Sequence, residues 1–322
     1  MISLLMVLIL FLPGVILLFF ASDLAVTNSA KLASALGVSN LIIGVTLVSI
    51  GTDISEIVNS IVSCAMGHGD IDVGDSVGSD LAQLTLVFGL LPLFCGMFYI
   101  RKREFIIIGA CEILSLILIF TVVEKGYFTR LDALFMIACF FLYTILIYQV
   151  TKESVLERVK FMEITENLKS KKYHLGMAII GFLGVTLSAF MIINSIILLS
   201  EILKIHEFIL SFFILGVATS LPELAVEINA IKQKEYDLAI GDVLGSCIVD
   251  STISIAIGQL LFPQEVSAEV AIPTILYTLF ASLIVIVVIA ARGKIDRKAG
   301  ILFISLYFMS YFVIFYQVIN IF

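Results

Sequence analysis

The sequence predicts an all-α integral membrane protein whose ten transmembrane helices form two inverted five-helix repeats. Three observations predict it. Of 322 residues, 61% are hydrophobic and 14% charged, with a mean hydropathy of +1.15, whereas soluble domains carry about 25% charge. Ten stretches reach the ~20 apolar residues that a bilayer crossing needs. Two sequence blocks of the first half also reappear in the second at one constant spacing.

The ten segments are approximately 2–21, 39–66, 73–99, 104–123, 130–151, 174–202, 207–231, 237–262, 268–291 and 299–321. The first, "MISLLMVLILFLPGVILLFFASD", lacks the basic start of a signal peptide and is taken as a membrane helix. Gly and Pro interrupt several segments, which a bilayer tolerates when neighbours satisfy the freed backbone. With the N-terminus outside, sixteen of the nineteen Lys and Arg residues fall on the inner side. The positive-inside rule then predicts a multi-pass cell-membrane protein with both termini extracellular. Residues 152–173 form a cytoplasmic linker between a first repeat (1–151) and a second (174–322). In that linker Val155, Val159 and Met162 recur at helical spacing, as in a segment lying along the interface.

Composition also excludes classes. The net charge of -7 and the absence of a basic domain give no footprint for nucleic acid. The five cysteines stand singly in apolar segments, without a CxxC pair, and read as small buried hydrophobes. His68, His174 and His206 stand alone near segment ends, which argues against a zinc site. No cofactor is expected.

The internal repeat is specific. "IGTDISEI" (50–57) aligns with "VATSLPEL" (217–224), and "VGDSVGSDLAQ" (73–83) with "IGDVLGSCIVD" (240–250), both at an offset of 167. Glu56 matches Glu223, Asp75 matches Asp242, Ser79 matches Ser246 and Gln83 matches Asp250. Five helices per half is odd, so the second half enters from the opposite face. Inverted repeats of this kind build many secondary transporters, whose sites lie near the midplane.

The repeated blocks carry oxygen. Asp75, Ser79 and Gln83 share a helix face, as do Asp242, Ser246 and Asp250. Thr52 and Glu56 share another, with Asp53 beside them, and Thr219, Glu223 and Glu227 repeat the pattern. A helix breaker adjoins each acid: Gly51 in one motif, Pro222 in the other. A charged side chain at mid-depth costs ~2.5–3.5 kcal/mol on insertion scales, and no Lys or Arg sits centrally in these segments to offset it. Protons or a metal must do so. Carboxylates, hydroxyls, amide and backbone carbonyls suit hard cations such as Ca²⁺, and no Cys/His set suits a soft one.

These blocks resemble the paired α-repeats of the sodium/calcium exchanger family, within the cation/calcium antiporter superfamily. The likeness is specific over about 39–91 and 206–260. It implies antiport of Ca²⁺, or a related divalent, for Na⁺ by alternating access. On that likeness Glu56 and Glu223 are the central Ca²⁺ carboxylates. Thr52, Thr219, Ser220, Ser79 and Ser246 supply oxygens to Na⁺, and Gln83 and Asp250 sit mid-site. The first and sixth helices, about 2–28 and 174–202, slide against the rest. The expected partners are inorganic cations and the lipid bilayer, and the transport unit is expected to be monomeric.

The chain also departs from the family pattern. Asp53 stands where Ser is usual, Ser55 where Pro is usual, Asp75 and Asp242 where Asn is common, and Gln83 for Asn or Asp. Asp80 is a further acid, and Asp75, Asp80 and Asp242 are secondary ligand candidates. So acidic a site keeps a proton-coupled or K⁺-linked exchanger open as the alternative, since desolvated carboxyls hold protons. A channel is the third reading. A fourth, from another class, is an intramembrane aspartyl protease suggested by "YDLAIGD" (236–242), although Ala239 replaces its motif glycine and the two acids are five residues apart.

Overall fold

A computed structural model describes residues 2–35, 53–161, 171–232 and 236–321. Its helices are α1 (Ile2–Ala35), α2 (Ile54–Met66), α3 (Gly69–Leu81), α4 (Phe88–Cys95), α5 (Lys102–Val123), α6 (Arg130–Phe161) and α7 (Lys171–Leu203). The second half continues with α8 (Glu207–Leu210), α9 (Gly216–Thr219), α10 (Leu221–Lys232), α11 (Tyr236–Val249), α12 (Ile255–Leu261), α13 (Ala268–Arg292) and α14 (Arg297–Ile321). π-Helical turns at Ala82–Val87, Ser211–Leu215 and Asp250–Ser254 join α3 to α4, α8 to α9 and α11 to α12. Eight helices, counted through these turns, are long and apolar enough to span a membrane; the shorter α2 and the α8–α9 run are apolar too. This is an all-α membrane protein of the expected class.

Several boundaries move. α1 runs to Ala35 rather than 21, and α6 runs to Phe161, past the expected end at 151, because helical spacing continues into the linker. The segment expected at 207–231 breaks and restarts as α10 at Leu221, and α2 begins at Ile54, 167 residues earlier. Asp53 before α2 (φ −88°, ψ 15°) lies outside the α region, whereas Ser220 before α10 (φ −78°, ψ −2°) stays at its edge. Pro222 falls in the first turn of α10, where its missing N–H costs nothing. Gly51 lies outside the described residues, as does the stretch 36–52.

Elements of one half pack on elements of the other: α2 on α12, α3 on the α8–α9 run, α4 on α14, and α5 on α11 and α13. Two backbone clasps join the halves. Phe98–Tyr99 (β1) pairs antiparallel with Lys294–Ile295 (β2), between α4 and α5 on one side and α13 and α14 on the other. At the far end of α5, Tyr127 bridges Glu265, and the Phe128 amide donates to the Gln264 carbonyl at 3.0 Å. Shifted by the repeat offset, the first clasp falls within one residue of the second. The same feature therefore occurs at opposite ends of the bundle, as inverted repeats require.

Burial is inside-out. Leu5, Phe20, Leu131, Phe135 and Phe312 are exposed, as lipid-facing side chains are, while 35 polar or charged residues among those described are buried. Cys64, Cys111 and Cys247 are buried, and Cys95 and Cys139 half-buried. The histidines do not stand alone. His68 Nδ1 lies 2.8 Å from Glu207 Oε2, His206 Nε2 3.7 Å from Asp70, and His174 Nδ1 3.0 Å from Asn28 Oδ1, because the segment ends that carry them meet in space.

α1 packs mainly along α7. Small residues bring the two close: a Cβ at Gly181 would lie 2.5 Å from the Ala25 amide nitrogen, and one at Gly184 2.8 Å from Ala21 Cβ. A close crossing at the centre is Gly216 against Gly78, where an added Cβ would meet the Gly78 carbonyl carbon at 2.6 Å. Gly216→Val is expected to destabilise the protein by ~1–3 kcal/mol or more, as overpacking does, and to lower its unfolding midpoint in detergent. Gly176→Ala, whose Cβ meets nothing within 4 Å, should not lower it.

Candidate cation site

α2 and α10 each begin with one glutamate in the first turn, Glu56 and Glu223. Free amides and the positive end of the helix dipole favour a carboxylate there. The two half-helices approach from opposite repeats, and carboxylate oxygens of Asp53, Glu56 and Glu223 lie within 4.8 Å of one another, all buried. Both oxygens of Glu223 and Oε1 of Glu56 lack a hydrogen-bond partner. Ser55 donates to Glu56 Oε2 at 2.7 Å. Neither oxygen of Asp53 makes a hydrogen bond of ordinary geometry, although the Ser246 hydroxyl faces it.

The polar stripes of α3 and α11 close the site. Ser79 and Thr219 hydroxyls are 3.0 Å apart, and Thr219 donates to Asp75 Oδ1 at 3.3 Å. Asn59 Nδ2 holds the other Asp75 oxygen at 3.1 Å. Gln83 Nε2 donates to Asp250 Oδ2 at 3.3 Å, joining residues that the repeat makes equivalent, and Asp250 Oδ1 has no partner. Both sit in π-helical turns, a distortion frequent at functional sites because it re-aims side chains. The Gly216 carbonyl collects the hydroxyls of Ser220 (2.7 Å), Ser79 (3.3 Å) and Thr219 (3.3 Å).

Twelve of the thirteen sequence candidates lie among the described residues; Thr52 lies outside them. Asp53, Glu56, Asp75, Ser79, Gln83, Thr219, Glu223, Ser246 and Asp250 border one polar interior. Ser220 turns its hydroxyl to the chain, and Asp242 faces Asp53 and Glu227. Asp80 points elsewhere, into a second group with Glu112 and Cys247. Sequence reasoning placed Glu227 on the stripe but not among the ligands; it is 1% exposed with both oxygens unpartnered. It missed Asn59 and Glu112. A single acid in the apolar run 105–123 is the available signal for Glu112. Asp72, buried and held by Gln259 Nε2 at 2.8 Å and Cys64 Sγ at 3.3 Å, is tied into the scaffold.

In all, ten carboxylates are buried among the described residues, and no Lys or Arg is. Carboxylates so placed must bind protons or cations, because an unpaired buried charge is prohibitive. A ring of carboxylates, hydroxyls and amide oxygens without nitrogen bases suits a hard cation that accepts 6–8 oxygens.

The sequence profile described as "Sodium/calcium exchanger protein" matches residues 6–149 and again 173–316. The chain belongs to the sodium/calcium exchanger family. A membrane protein of Methanocaldococcus jannaschii is 29% identical over 306 residues, covering 93% of this chain and 95% of that one. The sodium/calcium exchanger MaX1 of Methanosarcina acetivorans is 24% identical over 342 residues, 94% and 97% of the two chains. Among solved structures, the sodium-calcium exchanger NCX_Mj, soaked with Na⁺ and Sr²⁺, is similar at a TM-score of 0.60 and 26% identity, covering 95% and 98%. The H⁺/Ca²⁺ exchanger CAX shares the fold at a TM-score of 0.71 and 14% identity, covering 98% and 86%. This family is one of transporters, so the aspartyl-protease reading of "YDLAIGD" falls. As an exchanger-family chain this is a multi-pass membrane protein with two copies of the repeat.

Glu56→Gln and Glu223→Gln each remove one charge from the convergent set. Each is expected to weaken Ca²⁺ binding by roughly a hundredfold or more, since ligand charge count sets the affinity of oxygen sites. Isothermal titration of the detergent-purified protein measures this, and elution as one folded peak shows the fold intact.

Proposed function

We propose that the protein exchanges Ca²⁺ for Na⁺ across the cell membrane by alternating access. The observation that carries this reading is the convergence of Asp53, Glu56 and Glu223 from opposite repeats in a buried site without a base. Glu56 and Glu223 hold Ca²⁺, with Asp250 and Gln83 at the same level. The oxygens of Ser79, Ser246, Thr219, Ser220 and Thr52 favour Na⁺, and Asp53, Asp75 and Asp242 add negative charge. Ca²⁺ and Na⁺ compete for one set of oxygens, so loading one expels the other. A loaded site is close to neutral and can be sealed from water, whereas an unloaded one resists it. That difference in free energy between states is what antiport requires.

The arrangement of Lys and Arg supports an orientation with both termini extracellular and residues 152–173 as the cytoplasmic linker between units 1–151 and 174–322. Each chain carries a complete site, which supports a monomeric transport unit with no cofactor beyond the transported ions. The preference of α1 and α7 for each other supports their moving as a pair against the remaining helices.

Proton coupling is the second reading, favoured by the surplus of buried acids over the usual pattern, Asp53 above all. Purified protein in liposomes separates the two. An outward Na⁺ gradient is expected to drive Ca²⁺ uptake at least tenfold above the leak, and a proton gradient alone to leave it at the leak; the reverse result selects H⁺ coupling. The moving pair has its own test. Leu18 on α1 and Ala218 on α9 line one cavity of about 200 Å³ between the two parts. Cysteines at both positions, joined by a bifunctional maleimide, should abolish transport while Ca²⁺ binding persists.

A further inference from the structure

A second group of ligating side chains lies beside the exchange site and belongs to no part of the mechanism above. Asp80 of α3, Glu112 of α5 and Cys247 of α11 place one carboxylate oxygen each and the thiol sulfur within 4.8 Å of one another. All three residues are 0% exposed. Asp80 Oδ1 and Glu112 Oε1 have no hydrogen-bond partner. Their second oxygens are held: Ser251 donates to Asp80 Oδ2, and Ser115 donates to Glu112 Oε2 at 3.4 Å. Each acid is thus anchored by one oxygen and presents the other. Tetrahedral ligands about 2.0–2.3 Å from a common centre lie roughly 3.3–3.8 Å apart, a separation that fits inside the bound within which these three atoms lie.

We propose that Asp80, Glu112 and Cys247 form a second cation site that takes a thiophilic divalent ion of the zinc group, such as Zn²⁺ or Cd²⁺. Two carboxylates alone would suit Ca²⁺, but sulfur as third ligand shifts the preference to borderline and soft ions. Three protein ligands leave one tetrahedral position, which the Gln83 carbonyl can fill: Cys247 Sγ already lies 3.3 Å from Gln83 Oε1. Binding displaces the thiol proton, and any carboxyl proton, to water. Although Asp80 points away from the exchange site, its carboxylate lies near enough to Asp53 and Asp250 for their charges to interact. Gln83 also donates to Asp250, so an ion here reaches the exchange site through one side chain.

The test is a Cd²⁺ titration of the full-length protein in detergent under saturating Ca²⁺, following the ultraviolet thiolate-to-cadmium band. One Cd²⁺ per chain is expected, with the band lost in Cys247→Ser and the affinity lowered roughly tenfold or more in Glu112→Gln, a loss that even outer-shell partners can cause. A variant carrying serine at Cys64, Cys95, Cys111 and Cys139 leaves Cys247 as the sole thiol and must keep the band. Absence of the band in wild type would mean that Asp80 and Glu112 merely share a proton, and would overturn the proposal. So would its survival in Cys247→Ser, or its displacement by Ca²⁺, which would assign it to the exchange site. None of these readouts requires transport.

Discussion

Ten carboxylates buried among the described residues, without one buried lysine or arginine there, is the constraint on which this structure depends. Hydrophobic burial alone cannot accommodate them, because each ionised acid away from water costs several kcal/mol unless compensated. The fold supplies partial compensation from backbone. Glu56 and Glu223 sit in the first turns of half-helices, where amides are unpaired and the dipole is positive. Hydroxyls and amides hold single oxygens of Glu56, Asp80 and Asp250 and both oxygens of Asp75. The oxygens left over on Asp53, Glu56, Glu223 and Glu227 face inward without partners. Only a cation or a proton completes them.

The inverted repeat follows from the same constraint. One half-helix ending at mid-depth brings one carboxylate and one set of amides. Two entering from opposite faces bring two carboxylates to the same level, so a single ion can be shared between halves. The cross-half packing of α2 on α12 and α3 on the α8–α9 run fixes that level, and the paired clasps at β1–β2 and Tyr127–Glu265 fix the ends. At the crossing of α3 with α9, Gly78 and Gly216 let backbone meet backbone. This brings the Ser79 hydroxyl within reach of Thr219 and of the Gly216 carbonyl.

Much of this was legible in the residues, for physical reasons. Hydropathy marks the spans because a bilayer admits little else, and the offset of 167 marks the repeat because both halves carry the same polar pattern. Even the helix starts obey that offset, at Ile54 and Leu221. Less legible was whatever depends on which helix lies opposite. Asp80 sits next to Ser79 in sequence, yet its helix turns it away toward Glu112, a residue no pattern singled out. The histidines looked isolated because their partners, Glu207 for His68 and Asn28 for His174, are 139 and 146 residues away. The π-helical turns left no signal either, since one extra residue per turn hardly alters apolar periodicity.

Packing also divides the molecule into parts suited to different tasks. The helices around the site interlock through close glycine contacts and cross-half hydrogen bonds, such as the Gly258 amide to Ser60 Oγ at 3.1 Å. Such interfaces are bistable at best and do not deform smoothly. α1 and α7 instead meet each other largely through alanine and glycine; α7 also packs on α2, and both present exposed apolar side chains elsewhere. A smooth apolar surface can slide with little change in buried area, provided that nothing charged is dragged through the gap. On the proposed mechanism, whether the pair can cross is decided at the site, by whether the carboxylates of Asp53, Glu56 and Glu223, which converge there, are neutralised by the ion they would hold.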